Sequence, residues 1–128
     1  MAAVIHLDTN ILIFGLNPAH PMREQVRVWL ERGENFAVSA MAWAEFLCGP
    51  VSDEAVRAWD RLLVGGILPL ERSVAESAAV LFNLTGRRTR SLPDCVIAAT
   101  AIDAGAKLAT LNGADFKLFV EHGLLMQS

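Results

Sequence analysis

The sequence predicts an α/β fold, with a parallel sheet of four to five strands and helices packed on both faces. Three observations carry this prediction. Short apolar runs alternate with longer segments of helical periodicity along the whole chain. The first run, Ala3 to Leu7, is apolar at nearly every position, as a strand covered on both faces must be. Glycine, proline and capping residues punctuate the segments between the runs, and no repeat or Ser/Gly/Pro linker interrupts them. With 128 residues, 53% of them hydrophobic and 20% charged, residues 1–128 form a single domain able to bury a sizeable core.

Taken in order, the elements have these grounds. Ala3 to Leu7 ends at Asp8 as the first strand. Asn10 to Gly15 has room for a helical turn or two before the Asn17 to Pro21 break. Met22 to Glu31 places Met22, Val26, Trp29 and Leu30 at helical spacing, and Gly33 stops it. Asn35 to Val38 is the second strand, after which Ser39 caps a helix from Ala40 to Cys48 that ends at Gly49 and Pro50. The next helix, Ser52 to Val64, has an apolar face of Val56, Trp59, Leu62 and Leu63 and stops at Gly65 and Gly66; Ile67 to Leu70 is the third strand. Ser73 and Glu76 have capping-box spacing, which starts the helix Val74 to Leu84. Arg87, Arg88 and Arg90 form the loop beyond it. Pro93 suits a first helical turn, and the alanine-rich helix Asp94 to Ala104 is closed by Gly105. Lys107 to Thr110 is the fourth strand, Asn112 to Val120 a loop and short helix, and Leu124 to Met126 a fifth edge strand.

Several classes are excluded. The longest apolar stretches, Val96 to Ile102 and Ile67 to Leu70, fall far short of the roughly 20 residues of a membrane span. The start lacks a basic segment, and its apolar run is broken by His6 and closed by Asp8, so it does not read as a signal peptide, and a cytoplasmic protein is expected. Cys48 and Cys95 stand far apart in apolar surroundings and read as reduced core thiols. His6, His20 and His122 have no ligand spacing, and no nucleophile elbow is present.

Ligands of open α/β sheets bind beyond the carboxyl ends of the strands. Asp8 follows the first strand directly, and Asp115 lies five residues past Thr110 in Thr110-Leu-Asn112-Gly-Ala-Asp115. Glu45 sits in an otherwise apolar helix, where a lone carboxylate is costly unless it meets a cation. Asp94 opens the alanine-rich helix, whose small Ala98 and Ala101 allow close packing on the sheet. Four carboxylates brought together repel unless a cation holds them ionised, and oxygen-only donors select Mg²⁺ or Mn²⁺. Such an ion acidifies a water for in-line attack on phosphorus, with a second ion about 4 Å away at the leaving oxygen, so the implied reaction is phosphodiester hydrolysis. With these four acids set aside, eleven basic residues face ten acidic ones, so the overall charge of −3 does not exclude a nucleic-acid partner. Each acid also has an ordinary reading: Asp8 as a helix cap, Asp94 at the positive end of its helix, Asp115 as a turn residue. Asp103, Asp53, Glu54, Glu71 and Glu76 read as structural.

Asp8-Thr-Asn-Ile-Leu, Ala44-Glu45-Phe-Leu, Leu92-Pro-Asp94-Cys-Val-Ile-Ala-Ala-Thr and Leu108-Ala-Thr110-Leu-Asn112-Gly-Ala-Asp115-Phe116, in this order and spacing, resemble the PIN domain of VapC-type ribonuclease toxins. The resemblance spans nearly the whole chain. It implies a three-layer α/β/α fold, a metal site of Asp8, Glu45, Asp94 and Asp115 holding Mg²⁺ or Mn²⁺, and cleavage of RNA to 5′-phosphate ends. It further implies homodimers and an antitoxin whose C-terminal segment blocks the site.

Thr9 and Asn10 are candidates to orient Asp8 or touch substrate, and Thr110 and Asn112 to bind a metal water or hold Asp115; Asn10 and Asn112 read equally as caps or turn residues. Arg87, Arg88 and Arg90, close before Asp94, are candidates for RNA phosphates, with a solvated loop as the alternative. Trp43, Phe46, Leu47, Trp59, Leu62 and Leu63 lie on adjacent helices and are candidates for an apolar groove that takes an antitoxin helix, although core packing explains most of them equally well. Three other readings compete. A receiver-like phosphoacceptor module shares length and architecture, but needs paired acids after the first strand and a late Lys, whereas Lys107 precedes the fourth strand's core. A haloacid-dehalogenase-type phosphatase would need Asp at Asn10. A noncatalytic RNA- or protein-binding module predicts that neutralising Asp8 or Asp94 changes nothing in the cell.

Overall fold

A computed structural model describes residues 4–128, so the part of the first strand expected at Ala3 lies outside the described residues. The sheet is built from β1 (Val4–Leu7), β2 (Asn35–Ser39), β3 (Gly66–Leu68), β4 (Lys107–Ala109) and β5 (Leu125–Met126). Between them run α1 (Thr9–Phe14), α2 (Met22–Glu31), α3 (Ala40–Cys48), α4 (Asp53–Leu62), α5 (Arg72–Leu84), α6 (Leu92–Asp103) and α7 (Gly113–Phe116), followed by a 3-10 segment, Lys117–His122. All strand pairs are parallel, in the order β3-β2-β1-β4-β5. Parallel neighbours require crossovers, and the helices supply them. On β1 the consecutive residues Ile5, His6 and Leu7 are all buried, and on β2 so are Phe36 to Ser39. Successive side chains point to opposite faces, so both faces of the sheet are covered and the fold has three layers.

Local chemistry sets the helix boundaries. Ser39 has an extended backbone and its Oγ accepts a hydrogen bond from Ala42 N at 3.0 Å, which starts α3 directly at the end of β2. Ser52 does the same for α4 through Ala55 N at 3.1 Å. Gly33 closes α2 in the left-handed region (φ 79°), with Glu34 N donating to Trp29 O. The core on one side is organised by Phe36, which meets Trp29 of α2 and Trp59 of α4 edge-on, each at a centroid distance of 6.2 Å. The Trp59 indole N–H donates to Leu12 O at 2.8 Å, so its one polar atom is satisfied inside the core. Cys95 to Ala101 of α6 are all buried, because α6 packs on β2 and β4 and is covered by α5.

Three expectations need correction. The Ser73–Glu76 capping box does not form: α5 begins at Arg72, Glu71 occupies the N-cap without a side-chain bond, and Glu76 instead accepts from Arg72 one turn earlier. α4 ends at Leu62 rather than Val64, because Leu63 leaves the helical region and packs inward. Cys95 is buried as expected, but Cys48 is exposed at the last position of α3. Among the described residues, no helix is long and apolar enough to cross a membrane.

Candidate active site

The strand order reverses direction beside β1, between β1 and β4, and that crevice is where an open α/β sheet receives ligands. Asp8 sits at this point. It leaves β1 with an extended backbone, its own N–H still donating to Ala109 O of β4. Its carboxylate, 5% exposed, accepts from Thr9 N at 2.8 Å through one oxygen and from Thr110 Oγ1 at 2.7 Å through the other. The capping and site readings of Asp8 therefore describe one residue: the bond that starts α1 also fixes the carboxylate.

The other three acids arrive from separate elements. α3 packs against α1, and Glu45, half-buried on it, accepts from Thr9 Oγ1 at 2.7 Å. Asp94 lies in the first turn of α6 and is half-buried. Asp115 lies exposed on α7, its N–H donating to Asn112 O at 3.0 Å. Burial pushes the Asp94 carboxyl up to about 6, and the negative charges of Asp8, Glu45 and Asp115 push the same way, against Arg88. Burial likewise raises Asp8, which the Thr110 and Thr9 hydrogen bonds oppose and the charges of Glu45 and Asp115 reinforce. The four predicted acids thus share one electrostatic site.

The donor set suits a hard divalent cation, being all carboxylate and hydroxyl oxygen. The nearest thiol, Cys95, is no competing soft ligand, since burial raises its pKa and keeps it protonated. Among the described residues, no three His, Cys, Asp or Glu side chains are drawn together tightly enough to enclose an ion. The donor chemistry and the placement at the crevice suit such an ion, while the described side chains as they stand do not form a closed cage for it.

The supporting residues divide by role. Thr110 holds Asp8 and accepts from Asn112 N at 3.0 Å. Asn10 orients neither Asp8 nor a cap: its Oδ1 accepts from Leu111 N at 3.2 Å and ties α1 to the segment that leads to Asp115. The Asn112 side chain makes no capping bond. Arg87, Arg88 and Arg90 lie on an exposed loop, with Arg87 and Arg90 in the left-handed region (φ 54° and 75°), and Arg88 is the one whose charge acts on Asp94.

The apolar groove expected on α3 and α4 changes in composition. Trp59 and Leu63 are core residues, at 0% and 5% exposure: Trp59 points from α4 at Phe36, and Leu63 turns inward just past the end of that helix. Trp43 and Leu62 are half-buried against the core, and Leu47 is exposed. Phe46, at 1% exposure, is also a core residue, and it lies under a depression of about 360 Å³ between α1, the end of α3 and the start of α4, which Leu12, Ile13, Leu16, Val51 and Ala55 also line. Sequence reading assigned no role to His6. It is buried on β1 with Nδ1 unpartnered, and burial lowers its pKa to about 4.

An all-parallel sheet in this order, with acids from four segments coupled electrostatically near its switch point, defines a class of α/β protein with an acidic crevice at the carboxyl ends of its strands. Residues 5–120 match the family model of the PIN domain, and the chain belongs to that family. Among solved structures it is similar to a toxin–antitoxin complex from Klebsiella pneumoniae, at 27% identity over 90% of each chain with TM-score 0.66. It is also similar to FitAcB from Neisseria gonorrhoeae, at 25% identity over 96% of each chain with TM-score 0.69. VapBC2 from Rickettsia felis, bound to a fragment of promoter DNA, shares the fold at TM-score 0.72 and 20% identity over 97% of each chain. No curated protein matches the sequence. The receiver-like alternative fails on topology, since that fold has strand order 2-1-3-4-5, and on placement, since Lys107 lies opposite Ile5 at the start of β4, away from Asp8.

Proposed function

We propose that the chain is a Mg²⁺- or Mn²⁺-dependent endoribonuclease, the toxin of a type II toxin–antitoxin pair acting in the cytoplasm. The observation that carries this reading is the arrival of Asp8, Glu45, Asp94 and Asp115 from four separate elements at the β1–β4 crevice, with Asp8 and Glu45 fixed by Thr110 and Thr9. Asp8, Glu45, Asp94 and Asp115 would hold the cation, and such an ion supplies Lewis acidity and an acidified water when bound. The hydrolysis adds a water oxygen to phosphorus and breaks the P–O3′ bond, leaving a 5′-phosphate and a protonated 3′-hydroxyl. Thr110 keeps Asp8 aimed into the crevice, and Asn10 holds the chain that leads to Asp115. Arg87, Arg88 and Arg90 meet the RNA backbone on the side of Asp94, where guanidinium groups bind phosphate bidentately.

A cognate antitoxin is the second partner, supported by the toxin–antitoxin complex among the similar structures. Its helix is placed over the depression floored by Phe46 and beside the exposed Leu47. A homodimer is part of the same reading. The test is 5′-end mapping of total RNA incubated with the purified protein and Mg²⁺ or Mn²⁺, beside Asp94→Asn and a chelated control. New 5′-phosphate ends at defined sites, absent from both controls, are expected. Equal cleavage by Asp94→Asn would overturn the assignment, and no cleavage with metal demonstrably bound would favour a noncatalytic binding module.

A further inference from the structure

Thr9 makes two bonds into the site from two different atoms. Its backbone N–H donates to Asp8 Oδ1 at 2.8 Å, and its hydroxyl donates to Glu45 Oε1 at 2.7 Å. The first bond belongs to the start of α1 and would form with any residue except proline. The second crosses 36 positions of sequence and links α1 to α3, two elements that already pack together. Among the described residues, this hydroxyl is the one hydrogen-bond donor to the Glu45 carboxylate, whose neighbours in sequence on α3 are Ala44 and Phe46. A glutamate has three side-chain torsions, and among the described residues the Thr9 bond is the one hydrogen bond that favours a particular rotamer. Oε1 is taken by Thr9, which leaves Oε2 free.

We infer that Thr9 is the positioning residue of Glu45: its hydroxyl holds Oε1 and leaves Oε2 available to a cation that these acids would hold, while its backbone N–H independently holds Asp8. The inference rests on the metal-site reading above. A partner that orients a ligating carboxylate contributes roughly tenfold to a hundredfold in metal affinity. Thr9→Val keeps the shape and the N–H and removes the hydroxyl alone; Thr9→Ser keeps the hydroxyl and removes the methyl.

The experiment is Mn²⁺ titration of the full chain, read by calorimetry or by the paramagnetic signal of free Mn²⁺, so that no RNA turnover is needed. Thr9→Val is expected to weaken binding about tenfold or more. Thr9→Ser is expected to stay within about twofold of wild type. In a Glu45→Gln background the valine substitution is expected to have no further effect, since the two residues act as one unit. Thr9→Ala serves as the hydroxyl deletion should the valine variant not fold. Wild-type affinity in Thr9→Val beside lost affinity in Asp94→Asn would overturn the Thr9 inference and leave the metal site standing. Equal weakening by Ser and Val would also overturn it, by assigning the effect to the methyl. Unchanged affinity in Asp94→Asn, or no binding by wild type, would overturn the metal-site reading and this inference with it.

Discussion

Replacing Asp94 with asparagine is expected to stabilise the metal-free protein at neutral pH and to destabilise it relative to wild type once a divalent cation is added. The Asp94 carboxyl is raised from 3.8 to about 6. A group whose folded pKa lies above its unfolded value contributes stability below the unfolded value and loses it as pH rises through the folded one. The loss therefore runs from pH 3.8 to about 6. At about 1.36 kcal/mol per pH unit the ceiling is about 3 kcal/mol. Half of the carboxyl remains solvated, and its place in the first turn of α6 favours the charged form, so the working figure is about 1 kcal/mol. For a chain of this length that is about 4 °C in Tm. Thermal unfolding in chelator should then show the Asp94→Asn variant melting above wild type at pH 7.5 and level with it at pH 3.5. Addition of Mn²⁺ at a hundred times its Kd should raise wild type by about 2.7 kcal/mol and reverse the order. A lower melting point for Asp94→Asn in chelator at pH 7.5, or a gain that persists at pH 3.5, would refute the claim that Asp94 carries an uncompensated charge.

Three further outcomes follow from named contacts. His6, with its pKa lowered from 6.5 to about 4 by burial, refuses a proton that the unfolded chain accepts, so stability falls as pH drops through that window, by about 3 kcal/mol in all. His6→Met should remove this part of the slope in chelator, and an unchanged difference between pH 7 and 4 would refute it. Gly15→Ala should cost about 1–3 kcal/mol in denaturant unfolding, since a Cβ there would lie 3.0 Å from both the Trp59 ring and Val26, and 2.5 Å from Ile11 O; a neutral result would mean that α1 can move away. Arg88→Ala should weaken RNA binding and reduce the log–log salt slope by about 1 if Arg88 holds one phosphate, with binding measured on Asp94→Asn so that no cleavage intervenes. An unchanged slope would leave Arg88 with Asp94 alone.

Much of the fold was legible because its boundaries are set by residues acting on their immediate neighbours. α2 and α3 have the expected limits, since Gly33 and Ser39 act within one turn. The Ser73–Glu76 signal misled because the same spacing serves a second pairing: Arg72 lies one turn before Glu76 and takes its carboxylate, while the helix already starts at Arg72. Helical periodicity found the apolar face of α4 but not what it faces, so Trp59 and Leu63 read equally as groove and core; in the fold Trp59 meets Phe36 of β2 and Leu63 is buried beyond the helix end. Cys48 illustrates a similar limit. Its residue type favours burial, but its position at the end of α3 decides exposure.

The site divides along the same line. Asp8 and Glu45 stand out in the sequence because a carboxylate at the end of a buried strand or inside an apolar helix is costly without a purpose, whereas Asp94 and Asp115 read as ordinary helix and turn residues until the resemblance groups them with the other two. The bonds that aim these acids were not legible, because they join residues 36 and about a hundred positions apart: Thr9 to Glu45, Thr110 to Asp8, and Asn10 to Leu111. Each such bond connects α1 or the residue that caps it to another arm of the site. α1 has only six residues, too few to be stable by itself, and it is held by Ile11 and Leu12 in the core and by Asp8 at its cap. Its packing therefore sets the geometry of three acids at once. Asp8 caps it, Glu45 is bonded to its first residue, and the segment carrying Asp115 is tied to its second. A partner seated in the depression along Leu12, Ile13 and Leu16 would press on the same helix.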